Sequence, residues 1–444
     1  RGPLGKGETQ NGCDGYGRPG IKTFPESGRT AGALQAQGFA RNTEQAREAE
    51  YLRNLEQQYQ GTRELWHDLK NHIHVLEILA EEGRYERGAV DDYQIWLGEH
   101  GYLGQEFMHG MGNNTYYTRP WHLDEKAHPT NWVTMEMMHQ IKRKDPTRPF
   151  FFFCSYQFPH PPLVPLPVYL DMYDEEEIEP PTGQDWLDDS RIFEAMCRPA
   201  GIYTEKEKRR ARRAFFAQCT HIDYQIRLLI GTLRESNLLE DTILVFLSDH
   251  GDMLFDHNMV AKRCFYEEAS CIPLILSGRP LAAYRGVVEK KLAGLRDVMP
   301  TLLQLCDLPI PESVEGIPLL SSKEHPYLYG EVSEGEKATR MIRWEQYKLI
   351  YYPCGNVVQL FDLGKDRAET HDCSGEDAYR GILEKMKGLL AENLYGKDLE
   401  WVENGSLKGF IPKNSVAEAD YGLYNQRGYH WPTPQGYSNQ GKNA

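Results

Sequence analysis

The sequence predicts an α/β fold: a mixed, mostly parallel sheet flanked by helices, with a small antiparallel sheet towards the C-terminal end. Three observations predict it. Helical stretches alternate with short apolar runs bounded by Pro and Gly. One of those runs, TILVFL (242–247), leads straight into the polar turn SDHGD. Residues 325–363 then switch to alternating, aromatic-rich segments, the pattern of half-buried antiparallel strands.

Taken in order, residues 1–43 are Gly-rich and poorly periodic. Residues 44–87 change character. Tyr51, Leu55, Gln58, Thr62, Leu65, Leu69, His72, Leu76 and Leu79 follow steps of three and four, so the stretch reads as an amphipathic helix, or two helices broken near Gly61. PFFFFCSYQ (149–157) reads as a buried strand, and residues 205–238 as a long helix. Residues 242–252 read as a strand running into a turn, and CIPLILSG (271–278) as another strand. LRDVMPTLLQLCDLP (295–309) is a helix closed by Pro. YKLIYYPCG and VVQLFDL belong to the antiparallel region, and no internal repeat is present.

Composition bounds the function. A chain of 444 residues with 40% hydrophobic content can bury a sizeable core, and its length suggests two to three domains. A net charge of −15 argues against nucleic acid as partner. An anionic substrate would instead need a local positive site. No stretch approaches the roughly 20 apolar residues that span a bilayer, so no membrane partner is expected. The nine Cys lack CxxC or paired spacing and read as free thiols of a reducing, cytoplasmic setting. The chain starts at Arg1 with neither Met nor a signal peptide, which fits a fragment lacking its true start.

Two places carry chemistry. Ligand-binding groups of open α/β sheets collect at the carboxyl ends of strands. Asp249 beside His250 at such an end can hold a divalent cation, with Gly251 allowing the tight turn; the alternative is that Asp249 merely caps a helix. His160 lies in the Pro-rich loop FPHPP that follows 149–157, where flanking prolines suit a fixed imidazole able to act as a general acid. The alternative is a surface His without a role.

SDHGDMLFDHNMVAKRCFYEEASCIPLILSG resembles the sulfatase pattern SDHGDxxGDHxxxxKxxxYExxxxxPLI, within the alkaline phosphatase superfamily. The resemblance implies that Asp249 and His250 are metal ligands, most naturally for Ca2+. It implies that Lys262 is a cation on the sulfate or leaving oxygen, that His257 lies nearby, and that His160 contacts the sulfate or protonates the leaving group. The substrate implied is a small sulfate ester or sulfated sugar. Two departures stand out: Phe255 replaces a frequent Gly, which would narrow the pocket, and Cys271 replaces an Arg. GNNTYYTRPWHL (112–123), HPTNWV (128–133), THIDYQI (220–226), VEGIPLL (314–320), YYPCGNVVQLFDL (351–363) and QRGYHWP (426–432) resemble segments of one bacterial arylsulfatase-like branch.

The resemblance also implies a nucleophile, a formylglycine made from Cys or Ser in C/S-x-P-x-R, and a paired Asp near the start of the chain. Neither is found; Asp91-Asp92 follows no strand, and Cys197-Arg198-Pro199-Ala200-Gly201 ends in Gly. CDGYGRPGIKTFPESG (13–28) resembles the early family stretch GYGxPxIKTPNLD, with an ending that a short frameshift in the coding DNA would explain. Residues 50–87 resemble the dimerisation and phosphoacceptor helix of sensor histidine kinases, with His67 or its neighbourhood as acceptor; the alternative is a solvated amphipathic helix whose His67, His72 and His74 have no role. The organisation expected is a damaged sulfatase-like segment (1–43), a helical insert (44–87), a catalytic body (88–320) and a C-terminal subdomain (321–444). The function expected is hydrolysis of sulfate esters by family, inactive without the nucleophile. The alternatives are a dead sulfatase-fold binding protein, a phosphonate or phosphate monoester hydrolase, and a signalling helix fused to a sulfatase remnant.

Overall fold

The computed structural model describes residues 91–112, 114–186 and 203–411, with the backbone of Arg198–Pro199. The expectations for 1–43, for the helix at 44–87 with His67, for Cys197 and for 426–432 lie outside the described residues.

Helix α1 (Asp92–Glu99) starts where the Asp91 carboxylate accepts a hydrogen bond from the Gln94 amide at 2.8 Å, so Asp91 is a helix cap. Helix α2 (Pro129–Arg143) has Pro at its first position and Lys142 and Arg143 in its last turn, each favoured at that end. The His128 ring caps it by accepting from the Thr130 amide at 3.2 Å. Helix α3 (Pro167–Leu170) is a single turn. Strand β1 (Arg198–Pro199) precedes helix α4 (Glu205–Glu235), which carries a reciprocal Thr204/Glu207 capping box. Its buried residues Ala211, Ala214, Gln218, His221, Ile222 and Gln225 recur every three or four positions, the stripe that the sequence predicts for 205–238. Small Ala residues let α4 lie close to its neighbours. Arg213 ties it to the α3 region by donating to the Tyr173 and Leu170 carbonyls at 2.7 and 3.1 Å.

Strand β2 (Leu244–Leu247) leads to the short strand β3 (Met259–Val260), helix α5 (Glu267–Ser270) and strand β4 (Leu274–Ser277). β2 pairs antiparallel with β4, Leu244 opposite Ser277 and Leu247 opposite Leu274, while β1 pairs with β3. Residues 149–157 run extended without ladder bonds. Phe150, Phe152 and Cys154 pack with Leu244, Ile141 and Leu233, whereas Phe151 and Phe153 are 43% and 50% exposed. Thus 149–157 and β2 share one hydrophobic cluster, but the run is buried on one face rather than two. All ladders among the described residues are antiparallel. Parallel pairing occurs at two isolated bridges, Thr118 with Leu163 and Cys354 with Phe410.

Helix α6 (Val298–Leu305) follows a 3-10 turn. Then come β5 (Leu328–Val332), β6 (Thr339–Trp344), β7 (Tyr347–Tyr352) and β8 (Val357–Asp362), an antiparallel meander in the order β5-β6-β7-β8. This is the antiparallel sheet predicted for 325–363. One face packs on helix α7 (Arg380–Asn393) through Leu349, Tyr351, Leu360, Leu383, Met386 and Leu390. The other packs Ile350, Tyr352 and Phe361 against Met253, Met259 and Tyr266. The meander therefore backs the stretch that follows the SDHGD turn. No helix among the described residues is long and apolar enough to cross a membrane.

Candidate active site

β2 delivers the turn 248–252. The Asp249 side chain is 81% exposed, and its Oδ1 accepts from the His250 amide at 2.9 Å. The Gly251 amide donates to the Ala269 carbonyl at 2.8 Å, which lays the turn flat on α5. A Cβ at Gly251 would stand 1.9 Å from the Glu268 carbonyl oxygen, so close approach to α5 demands glycine here.

His250 Nδ1 lies 2.7 Å from the Gly251 carbonyl oxygen. A carbonyl only accepts, so Nδ1 carries the proton, and Nε2 of the neutral ring holds a lone pair. That Nε2 is 3.4 Å from Asp249 Oδ2. Two lone-pair donors facing each other at this separation fit a shared cation, and the residues present are therefore compatible with a divalent metal.

Asp252 completes the turn. Its Oδ2 accepts from the Tyr116 hydroxyl at 2.6 Å and its Oδ1 from the Leu254 amide at 2.9 Å. The same Tyr116 oxygen accepts from the Ala261 amide at 2.8 Å, tying Asp252 to the residue before Lys262. Burial pushes the Asp252 carboxyl up to about 6, against the opposing pull of the Tyr116 hydroxyl, the Leu254 amide, Lys262 and His250. Sequence reasoning gave Asp252 and Tyr116 no role, although both sit in segments that carry the family resemblance.

The stretch from 254 to 263 is rich in left-handed backbone at residues other than glycine: φ is 41° at Leu254, 75° at Phe255, 52° at His257, 58° at Asn258, 67° at Ala261 and 82° at Arg263. Such positions cost free energy and persist only where surroundings hold them. Phe255 stands where the pattern often has Gly, and its φ explains that preference. Its ring does not narrow a pocket. It is buried against Tyr116 and Tyr203, with centroids 5.5 and 5.3 Å away. Cys271, in place of the frequent Arg, lies beside Glu267 and Arg367; Lys348, Arg343 and Arg367 hold the Glu267 carboxyl below its usual range despite its burial.

His160 stands between the cis peptides Phe158–Pro159 and Pro161–Pro162. Its Nδ1 donates to the Pro161 carbonyl at 2.6 Å, which leaves Nε2 as the lone-pair atom of the neutral ring. Burial, then the Lys262 ammonium and His250, lower its pKa; the Pro161 carbonyl and the Asp249 carboxylate oppose this. These influences identify the neighbours: the structure brings His160, Lys262, His250 and Asp249 into one electrostatic cluster, with Asp252 beside Lys262 and His250. Lys262 is partly buried there.

His257 keeps different company. Its fully buried ring lies 5.5 Å from Trp186 and 5.0 Å from Tyr266. Burial lowers its pKa, and its charged neighbours are Asp256, Asp366 and Lys348. Trp121 and His122 bond within their own region, to the Asp124 and Gln105 carbonyls.

Comparison with known proteins bears on the family and the fold. The family model described as Sulfatase matches residues 7–308, and the one described as N-sulphoglucosamine sulphohydrolase, C-terminal, matches 255–395. An arylsulfatase of Clostridium perfringens (strain 13 / Type A) is 34% identical over 334 residues, covering 72% of this chain and 69% of that protein. The phosphonate monoester hydrolase of Agrobacterium radiobacter superposes with a TM-score of 0.59 at 18% identity, over 72% of this chain and 73% of that one. A protein solved with its substrate D-glucosamine-2-N,6-O-disulfate superposes with a TM-score of 0.51 at 17% identity, over 60% of this chain and 69% of that one. The two structures share the α/β fold. A family match across most of the chain, joined by a relative of that identity and coverage, assigns it: the chain belongs to the sulfatase family, the hydrolases of sulfate esters.

Proposed function

We propose that this chain carries the cation-holding and proton-donating part of a sulfate-ester hydrolase site. Asp249 and His250 are the cation ligands, Lys262 the anion-holding group and His160 the general acid. The single observation that carries this reading is the convergence of His160 and Lys262, which lie 102 positions apart in sequence, on the Asp249–His250 pair. A bound divalent ion, Ca2+ in this reading, would neutralise sulfate oxygens and polarise the S–O bonds. The exposed Asp249 carboxylate, an oxygen ligand, suits that hard cation.

The protein groups then act on the ester. Lys262 holds a sulfate oxygen as a point charge. His160 has its Nδ1 proton fixed on the Pro161 carbonyl, so Nε2 is the atom that can give a proton to the leaving alcohol oxygen as the S–O bond breaks. In the free cluster Lys262 and burial disfavour the charged imidazole. An arriving sulfate ester brings negative charge and restores its affinity for the proton. The attacking group has no candidate in this sequence, which contains no C/S-x-P-x-R. The substrate class we favour is a sulfated sugar, supported by the fold shared with a protein whose substrate is a disulfated glucosamine. The unpatterned cysteines support a cytoplasmic setting.

The test is an assay of the purified chain with an aryl sulfate, an aryl phosphonate and a sulfated glucosamine, with and without added calcium. Saturable calcium binding that Asp249→Ala abolishes is expected, together with turnover below about 1 per second, the low end for ordinary enzymes. Faster metal-dependent turnover would mean that a nucleophile is present in an unrecognised form. Calcium binding unaffected by Asp249→Ala would sink the ligand assignment.

A further inference from the structure

Two groups of three His, Cys, Asp or Glu side chains converge among the described residues outside the site above. In the first, His371, Cys373 and Glu376, both imidazole nitrogens are already engaged, Nδ1 with Asp185 and Nε2 with Glu376, each at 2.6 Å. The second, His257, Glu268 and Glu369, is different. His257 and Glu369 are 0% exposed. Neither ring nitrogen of His257 closes a well-formed hydrogen bond, the Ala368 backbone being its one weak partner, and Glu268 Oε2 has none. Buried polar atoms left in this state are rare, because each has given up water for nothing.

A proton does not resolve the deficit. His257 Nε2 and Glu268 Oε2 are 4.0 Å apart, too far for one proton to bridge them. Negative charge also crowds the three side chains. Glu267, Glu268, Glu369 and Asp256 gather round Lys348 and Arg212, with Arg343 and Arg367 beside Glu267. The strain shows in the carboxyls: burial, with Glu369 and Asp256 nearby, pushes Glu268 up to about 7, and burial raises Glu369 as well.

We infer that His257, Glu268 and Glu369 form a second, buried divalent-cation site, of the zinc class. One imidazole nitrogen and two carboxylate oxygens lie within 4.8 Å of one another. Ligands about 2.1 Å from a tetrahedral ion lie about 3.4 Å from one another, so the side chains would close by up to about 1.4 Å on binding, within reach of small rotations of the two Glu side chains. Three ligands that include an imidazole suit Zn2+ better than Ca2+, which takes six to eight oxygens. Lys348 need not leave. It stays 2.6 Å from Glu267 and 2.7 Å from the Phe265 carbonyl, and Glu369 Oε1 has lone pairs for both the ammonium, 2.8 Å away, and the ion. The ion would pin three separate segments together: the left-handed turn at 256–258, helix α5 and the loop after β8. The site is independent of the sulfatase reading, since it shares no ligand with the Asp249–His250 pair.

The experiment uses the full chain carrying Asp249→Ala, so that the cation pair of the candidate active site is gone. The protein is stripped with chelator, given Zn2+, passed through gel filtration and assayed for retained metal. About one zinc per chain is expected, with a melting temperature more than about 5 °C above the stripped form. Adding Glu268→Gln or His257→Ala should cut retained zinc at least tenfold and remove the thermal shift. Glu268→Gln keeps side-chain shape, so its result stands even where His257→Ala fails to fold. No zinc on the Asp249→Ala chain, or undiminished zinc on the Glu268→Gln double variant, overturns the site.

Discussion

Gly251→Ala should destabilise the protein by an amount that follows from one contact. The new methyl would stand 1.9 Å from the Glu268 carbonyl oxygen and 3.0 Å from its carbon. An ordinary C···O contact is about 3.3 Å, so turn and helix must part by more than an ångström. The Gly251–Ala269 hydrogen bond, 2.8 Å long, would then pass beyond bonding range. Losing it costs about 1 kcal/mol, and the forced backbone shift about 1–3 kcal/mol more. With a urea slope of about 3 kcal/mol/M, the midpoint should fall by about 1 M. The matched control is Gly231→Ala inside α4, where nothing lies within 4 Å of the new Cβ. That change should stabilise by about 0.5–1 kcal/mol, because glycine is a poor helix former. A Gly251→Ala midpoint within 0.2 M of wild type, read by circular dichroism with that slope of about 3 kcal/mol/M, would refute the claim that the turn is seated on α5.

Lys348→Met should cost about 3–5 kcal/mol, since it strands buried carboxylates; Lys348 is 2.6 Å from Glu267 and 2.8 Å from Glu369. Denaturation midpoints check this, and an unchanged midpoint would contradict it. His371 is pushed up to about 9 by its hydrogen bonds to Asp185 and Glu376. Its folded pKa lies above the unfolded value of about 6.5, so its contribution is complete below that pH and is lost as pH rises through about 9. The stability gap between wild type and His371→Gln should therefore shrink between pH 7 and 10; a widening gap would have the wrong sign. In a chain supplied with an upstream C-x-P-x-R segment, Lys262→Ala should lower kcat/KM about 100-fold, as for loss of one oxyanion-stabilising group. An effect on KM alone would make Lys262 a binding group only.

Local periodicity carried much of the architecture. The α4 stripe and the alternating strands of the meander are legible because each residue's face follows from its position in a repeat. The run 149–157 was less legible. Four consecutive Phe residues read as buried on both sides, yet Phe151 and Phe153 lie half open while Phe150 and Phe152 are packed. Apolar composition cannot say whether a second layer covers the outer face. The candidates Asp249, His250 and Lys262 were read from one long motif, and His160 from the separate Pro-rich loop, rather than from any period. Asp252 stood in that motif without a role, because what distinguishes it is Tyr116, 136 positions away. His257 shows the converse. It is close in sequence to Asp249 and Lys262, but a left-handed backbone at φ 52° turns its ring towards Trp186 and Tyr266.

The meander also sets an order of assembly. Its neighbours are consecutive in the chain, and Trp344 and Tyr347, paired across the β6–β7 turn, are three positions apart. Loops this short close at little entropic cost, and contacts of low sequence separation form early. The Tyr116–Asp252 and Trp186–Glu369 bonds span 136 and 183 residues. On refolding, protection of β6 and β7 amides from exchange should therefore precede closure of the Asp252 turn. The chemical groups would be the last part of the molecule to find their places, assembled against a C-terminal sheet that is already solid.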